Sequence, residues 1–230
     1  MRTSILSTCF ALGAAAGLAS AQPATISFSA DNNPDGPTFV GGTGPVDFRD
    51  AAPLSADGVV NTTLLLDVNG SAPGGLSSFD TRLVYNSTLT NYQRFNAGSF
   101  FIHSYSAAGR YDFLDNSSGS LLLSVIFSDA SFSSGSFAAN LLGPAATLQS
   151  LSPVSVTGSL ASTFPTLADW AFTLTNLRTA GGGAVGVSNL GEIQPGWSSD
   201  GSYSGTLIPA PGALALAAGA GLAAIRRRTR

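Results

Sequence analysis

The feature that most constrains this chain is a repeated strand pattern, in which short apolar runs alternate with clusters of Gly, Asn and Ser. The runs lie at Thr25–Ser29, Val59–Val68, Phe79–Tyr85, Leu121–Phe127 and Trp170–Thr175. Strict alternation, as in Phe79–Tyr85, gives a strand one buried and one exposed face, whereas the mainly apolar Leu121–Phe127 predicts burial on both sides. Between the two ends of the chain, no window of about a dozen residues sustains a helical period. The pattern predicts an all-β domain, built as an antiparallel β-sandwich.

Charge is scarce and unevenly distributed along the 230 residues. Charged residues make up 10 % of the chain, against about 25 % in an average soluble protein. There is no lysine, and between the two ends five arginines stand against thirteen acids, a net charge of −8. Phosphate backbones demand Lys and Arg, so this composition argues against a nucleic-acid partner. The one cysteine, Cys9, lies near the N-terminus, which leaves the domain without a disulfide or a cysteine metal site.

The N-terminal residues have the pattern of a cleavable secretory signal. Arg2 precedes an apolar run from about Ile5 to Leu18, and the small residues Ala19 and Ala21 occupy the −3 and −1 positions of a signal peptidase site. Residues 1–21 are therefore predicted to form a signal helix that the export machinery and signal peptidase recognise. A buried N-terminal helix is the alternative interpretation.

The C-terminal residues 207–230 combine an apolar segment with a basic end. Leu207–Ile225 is nineteen residues long and uncharged, close to the roughly 20 needed to cross a bilayer. The segment is rich in Ala and Gly, which predicts weak insertion and a transient or stable single-helix anchor in the inner membrane. The arginines that follow it would stay cytoplasmic under the positive-inside rule, which leaves the domain outside.

This tail resembles the PEP-CTERM sorting signal of Gram-negative bacteria. The resemblance rests on Pro209, Ala210 and Pro211, the apolar helix, and the arginine cluster Arg226, Arg227, Arg228 and Arg230. Ala210 replaces the glutamate usual in that family. The resemblance implies processing by an exosortase, a membrane protease-transpeptidase, in an envelope rich in extracellular polysaccharide. A GPI signal fits less well, because such tails end apolar.

The central domain resembles cohesin-like domains over roughly Val59–Leu190. The resemblance is carried by the strand at Val59–Val68, the Gly-linked Phe79-Asp80 strand, the Tyr85-Asn86…Leu89 motif, and the late strand Phe172–Leu177 before three glycines. It implies a nine-strand jelly-roll sandwich related to carbohydrate-binding modules. Dockerin binding is not implied, because no dockerin-contact motif matches.

One loop offers candidate metal ligands. Asp31, Asn33 and Asp35 place oxygens at alternate positions before Gly36, as in the first half of a calcium loop. The twelfth position is Gly42 rather than the bidentate glutamate of a complete loop. The sequence leaves two interpretations open, a weak calcium site and a plain turn.

Aromatic residues provide the candidate glycan site, and catalytic motifs are weak. Seven rings are candidates for a stacking platform: Tyr92, Phe95, Phe100, Phe101, Tyr105, Tyr111 and Trp197. Trp197, near the end of the domain, is the best candidate for an exposed ring, although core packing, which explains most rings in a sandwich, is the favoured interpretation. The only histidine, His103, has no Gly-x-Ser-x-Gly elbow to accompany it, and Glu192 has no acid close to it in sequence.

These features predict three segments: a signal at 1–21, an extracytoplasmic β-sandwich at 22–206, and a sorting tail at 207–230. The expected function is that of an exported, envelope-sorted, non-catalytic surface or extracellular-matrix protein. A glycan-binding module that contacts extracellular polysaccharide is the first alternative, and a secreted hydrolase is the second. No cofactor is expected apart from the calcium ion considered above.

Overall fold

The computed structural model describes residues 23–29, 37–41, 47–51, 60–68 and 76–210. Within these residues the regular structure is almost entirely strand, with one single-turn 3-10 helix at Ser159–Ser162. The prediction of an all-β domain is confirmed. The two predicted terminal helices lie outside the described residues.

The described residues form eleven strands. They are β1 Ala24–Ser29, β2 Phe39–Gly41, β3 Asp47–Asp50, β4 Val60–Val68, β5 Leu76–Ala97, β6 Phe100–Asp115, β7 Leu121–Ser136, β8 Ala146–Ser150, β9 Val154–Thr157, β10 Thr166–Thr179 and β11 Trp197–Ile208.

All eleven strands belong to one antiparallel sheet, in the order β3-β2-β11-β1-β4-β5-β6-β7-β8-β10-β9. Additional pairings join β11 to β10, β3 to β5 and β7 to β9. The circuit β11-β1-β4-β5-β6-β7-β8-β10 therefore returns to β11, and the sheet closes on itself. Closure pairs both edges of most strands and leaves few free backbone donors and acceptors.

The alternation read from the sequence sets which side chains enter the core. In β5, Leu83 and Tyr85 are buried while Val84 between them is exposed, and in β10 Trp170 and Phe172 are buried together. The expectation for β7 was wrong at one position: Ile126 is 70 % exposed, because its side chain points away from the core. Burial on both sides of β7 is thus limited to residues 122–125.

The core is rich in aromatic side chains. Tyr111 and Tyr203 donate or accept a hydroxyl hydrogen bond of 3.1 Å across the interior, and both pack against Phe172. Burial without solvent raises the pKa of both tyrosine hydroxyls. Each edge-to-face ring pair contributes about 0.5–1.5 kcal/mol beyond the area it buries, so the aromatic contacts are a large part of what fixes the sheet.

The first and last strands of the domain lie side by side. Ala24 pairs with Leu207, and β11 continues to Ile208, within a compact unit that spans Gln22–Pro209. Leu207 is fully buried. The strand therefore extends two residues past the predicted domain end at Thr206, and Leu207 and Ile208 belong to the sheet rather than to the apolar tail.

The longest strand leads from this end of the sheet to the opposite end. β5 begins beside the end of β4, since Leu76 pairs with Asp67, and Val68 in turn pairs with Ala24 of β1. Its 22 residues span up to about 70 Å at roughly 3.3 Å per residue. β5 then turns at Gly98, whose φ is +72°, into β6. Residues 91–104 of this hairpin, with residues 133–137 at the end of β7, are named the tip.

Candidate functional site

Trp197, the best candidate for a glycan-stacking residue, is not exposed. It is 2 % accessible and packs against Phe48, with ring centroids 5.3 Å apart. Its indole lies directly over Gly41, where a Cβ atom would have no room. Pairing of β11 with β2 and β10 draws the start of β11 into the core, so Trp197 is a packing residue and the glycan-stacking interpretation of it was wrong.

The other candidate rings divide between core and surface. Tyr105 and Tyr111 are buried, whereas Phe100 and Phe101 are half-buried and Phe95 is 53 % exposed. The rings that remain accessible all belong to the tip. Phe137, which the sequence pattern did not single out, is the most exposed ring of the described residues at 80 %.

Three accessible apolar side chains of the tip, Phe95, Phe100 and Ile102, share one face, whereas the half-buried Phe101 lies on the other. Phe95 pairs with Ile102, which pairs in turn with Gly135, and residues paired across antiparallel strands point to the same side. Phe100 pairs with Ala97, one pleat period further toward the turn, and so lies on this side as well. We call this side the aromatic face.

Two phenylalanines of the aromatic face form a corner. The ring of Phe100 lies on Gly135, where a Cβ atom would collide with it. Phe137 stands nearly perpendicular to Phe100, with ring centroids 5.2 Å apart and an interplanar angle of 72°. Because Gly135 has no side chain, the Phe100 ring packs directly on its backbone, and the Phe137 ring stands nearly perpendicular to the Phe100 ring.

An uncharged groove adjoins this corner. It has a volume of about 550 Å³ and includes Gly135 and Phe137 in its lining, together with Leu142, Pro144 and the glycine turn at 182–183. None of its lining residues is charged. The groove shares residues 135–137 with the end of the strand that carries the aromatic face, and its other lining residues come from the loop at 138–144 and from residues 177–184.

The opposite face of the tip is covered by loops that hold it in place. The guanidinium of Arg94 donates a 3.0 Å hydrogen bond to the carbonyl of Ala139, and the hydroxyl of Ser134 donates to the carbonyl of Ala145 at 2.8 Å. The same hydroxyl accepts a bond from the Gly143 amide at 3.0 Å. These contacts fix the strand ends that carry the aromatic face.

His103 lies inside this covered face and is not available to a substrate. Its ring is fully buried, stacks on Tyr92 at 6.0 Å, and its Nδ1 shares a 3.0 Å hydrogen bond with the tyrosine hydroxyl. Burial lowers the pKa of His103, and the carbonyls of Ala138 and Leu141 offset part of that effect. The geometry makes His103 a structural residue of the tip.

Charge is nearly absent from the tip, although the domain is acidic. Residues 86–109 contain no acid and one cation, Arg94, and residues 130–168 contain no charged residue. The acids occur elsewhere, for example in the hairpin turn where Asp115 accepts bonds from the amides and hydroxyls of Ser117 and Ser118. The tip thus differs from the rest of the domain in both charge and ring content.

The described residues offer few groups for metal or acid–base chemistry. Among them, no group of three or more His, Cys, Asp or Glu side chains could hold a metal ion. Glu192 accepts hydrogen bonds from the Ser188 amide through its own backbone and from the Ser188 hydroxyl at 3.4 Å. The predicted calcium ligands Asp31, Asn33 and Asp35 lie outside the described residues.

Most of the predicted delivery segments also lie outside the described residues. Pro209 and Ala210 directly follow β11. The remaining members are not described, namely Pro211, Arg226, Arg227, Arg228 and Arg230 of the sorting motif and Ala19 and Ala21 of the signal. No helix in the described part of the chain is both long and apolar enough to cross a bilayer.

Phe137 escaped the sequence analysis because its exposure depends on strand register. It follows Ser-Gly-Ser in a stretch that alternates apolar and small residues, a pattern typical of a strand with one buried face. Only the pairing of β7 with β6 shows that this end of the strand extends beyond the core. An available signal was Gly135, since an isolated glycine in a strand marks a close approach.

No protein-family model, curated protein or solved structure matches this chain.

Proposed function

We propose that the chain is an exported, envelope-sorted, non-catalytic protein of the cell surface or extracellular matrix. The signal pattern and the PEP-CTERM-like tail flank a β domain with an acidic, lysine-free composition. Signal peptidase removes residues 1–21, and an exosortase-like enzyme reads or processes the tail. The inner membrane holds the protein at least transiently during this passage.

The observation that carries the proposal is the position of the compact unit between the two patterns. This unit spans Gln22–Pro209, so it begins directly after the predicted cleavage site at Ala21 and ends within the proline motif. Removing either flank would leave the paired strands β1 and β11 intact, because their register runs between residues 24–29 and 202–207. A delivery segment has to be dispensable for folding in this way.

We further propose that the closed sheet is arranged as a cohesin-like, jelly-roll sandwich. Support comes from the circuit of strand pairings and from the shared interior, where Phe28 of β1 contacts Phe113 of β6 at 5.7 Å and Phe172 of β10 at 6.2 Å. Phe28 and Phe172 lie on the two strands that flank β11, whereas β1 and β6 are separated by two strands on one side of the circuit and four on the other, so the Phe28–Phe113 contact is of the kind that joins the two layers of a sandwich.

The absence of catalysis is also a proposal. His103 is buried behind Tyr92, and Glu192 lies in a glycine-rich loop with Ser188 as its described hydrogen-bond partner. The buried His103 does not meet the requirement that an acid or base reach a bound substrate. Glu192 is exposed, and the described hydrogen bond of its carboxylate is to the Ser188 hydroxyl and not to a second acid.

A second candidate function, a glycan-binding module, is favoured by the aromatic face of the tip. Exposed rings on an uncharged surface are suited to the apolar faces of sugars. Trp197 has no part in this version, because it is buried.

Cell fractionation tests the proposed address. The full chain is compared with a variant that lacks residues 226–230 and with a matched variant in which the four arginines are lysines. We expect the chain and the lysine variant to be sorted to the envelope, with a mature N-terminus at Gln22. The deletion variant is expected to be missorted. Full-length protein in the cytosol, with residues 1–21 still attached, would refute the proposal.

A further inference from the structure

We propose that the aromatic face and the adjoining groove form a binding site for a neutral polysaccharide chain, stacked on Phe100 and Phe137. This inference rests on the proposed non-catalytic role outside the cell and supplies that role with a ligand class.

The shape of the corner fits a sugar ring. The Phe100 ring packs on Gly135, and the Phe137 ring makes an angle of 72° with the Phe100 ring. A pyranose presents a flat face of C–H groups and a rim of hydroxyls, so its face packs on one ring while its edge meets the other. Ser104 and Gln93 lie in register on the same side of the sheet and supply hydroxyl and amide groups to the rim.

The lack of charged side chains on this surface favours a neutral ligand over an anionic one. The groove has no charged lining residue, and the only charged side chain within residues 86–109 is Arg94. Arg94 pairs with His103 and therefore lies on the covered face, where it bonds the Ala139 carbonyl. An anionic polysaccharide would find no cation on the aromatic face and would meet a domain of net charge −8.

The small exposed area of the aromatic rings favours a narrow polysaccharide chain over a second copy of the protein as the ligand. Phe95 is 53 % and Phe137 is 80 % exposed; at about 200 Å² for each ring, the two offer roughly 270 Å². A stable protein interface needs about 800 Å² from each partner. The exposed area of these two rings is about a third of that requirement, whereas the groove of about 550 Å³ beside Phe137 continues the path for an extended chain.

Native affinity electrophoresis of the full-length chain provides the test. The gels contain soluble starch, hydroxyethyl cellulose or galactomannan as neutral probes, or alginate as the anionic probe. A polyoxyethylene detergent keeps the apolar tail soluble without adding a sugar headgroup. We expect at least one neutral polysaccharide to retard the chain and alginate to leave its mobility unchanged.

Three variants locate the binding. Phe137→Ala is expected to weaken retardation about fivefold or more, since it removes one ring contact, and Phe137→Tyr is expected to retain it. Ile126→Ala is the matched control, because Ile126 is also strongly exposed but is paired with Arg110 at mid-sheet. Equal unfolding midpoints for the variants establish that the fold is unchanged.

Several outcomes would overturn the inference: no retardation by any neutral probe, retardation by alginate alone, or retardation that Phe137→Ala leaves intact. A dimer in light scattering that Phe137→Ala dissolves would also overturn it and assign the face to self-association. Release of reducing ends from the probe would instead contradict the proposed non-catalytic role. Binding by purified protein is independent of cell fractionation, so failure of the address and failure of the ligand are separate results.

Discussion

Replacing Trp197 by Ala measures whether this residue serves the core or the surface. The indole is 2 % exposed, its ring centroid lies 5.3 Å from that of Phe48, and it covers Gly41. Truncation therefore leaves a cavity that Gly41, which has no side chain, cannot fill. Removing a buried Trp side chain costs about 3–5 kcal/mol of the free energy of unfolding. The loss is a large fraction of the 5–15 kcal/mol typical of a whole protein.

Urea denaturation followed by fluorescence is a suitable assay. The chain has two tryptophans, and Trp170, which is buried between Tyr111 and Phe127, remains as the probe in the variant. With a slope of about 2.5 kcal/mol per molar urea, the midpoint should fall by about 1–2 M while the slope stays unchanged.

Phe137→Ala is the matched control for that experiment. The Phe137 ring is 80 % exposed, so its removal should change the free energy of unfolding by no more than about 0.5 kcal/mol. Equal midpoints for the two variants would refute the argument that Trp197 belongs to the core. A lower midpoint for Phe137→Ala alone would reverse the assignment of both residues.

Three other predictions concern pH, backbone packing and calcium. Because burial lowers the pKa of His103, the unfolded chain binds the proton first, so the free energy of unfolding should fall as pH drops below about 6.5. His103→Gln should flatten this slope in urea midpoints between pH 5 and 8, and an unchanged slope would contradict it. Gly143→Ala places a Cβ atom against the Gly135 carbonyl and should lower stability by about 1–3 kcal/mol, whereas Gly181→Ala, in open space, should be neutral; equal midpoints would disprove the close approach. If the Asp31 loop binds calcium, EDTA should lower the melting temperature and Asp31→Asn should abolish that effect; a melting temperature indifferent to EDTA would leave the loop a plain turn.

A further acid-sensitive element acts in a separate pH window. Hydrogen bonds from Ser117 and Ser118 lower the pKa of Asp115 from 3.8 to about 2. A carboxyl group whose pKa is lower in the folded chain than in the unfolded chain stabilises the fold at pH values above its unfolded pKa. This stabilisation is lost as the pH falls through the folded pKa. The Asp115 contribution therefore disappears only below about pH 3.8, well separated from that of His103.

Local patterns predicted strand identity well because alternation is a local property. Leu83 and Tyr85 are buried where period two placed them, and Trp170 and Phe172 share the core face as expected. The predicted domain end at Thr206 falls two residues short of the end of β11, since Leu207 and Ile208 are apolar residues that suit a strand and a membrane tail alike. Composition cannot separate those two environments, whereas pairing of Leu207 with Ala24 does.

Site prediction failed where exposure depends on long-range register. Trp197 follows Pro-Gly, which is typical of an exposed aromatic residue in a loop. The partners that bury it, Gly41 and Phe48, lie about 150 residues earlier in the chain. Phe137 has the local pattern of a core residue. It is exposed because the end of β7 extends beyond the closed part of the sheet. Each error has the same cause, that a strand's two faces are equivalent until its partners are known.

The physical demands on the two kinds of aromatic residue in this domain are different. Core rings such as Tyr111 and Phe172 are held by their contribution to folding, and their positions follow from packing alone. Phe137 adds little to stability and exposes apolar surface to water at the end of the domain opposite the one where β1 begins and β11 ends. Its corner with Phe100 also requires a glycine at 135, which weakens a strand interior. A folding requirement accounts for none of these features, whereas the proposed stacking surface accounts for all of them.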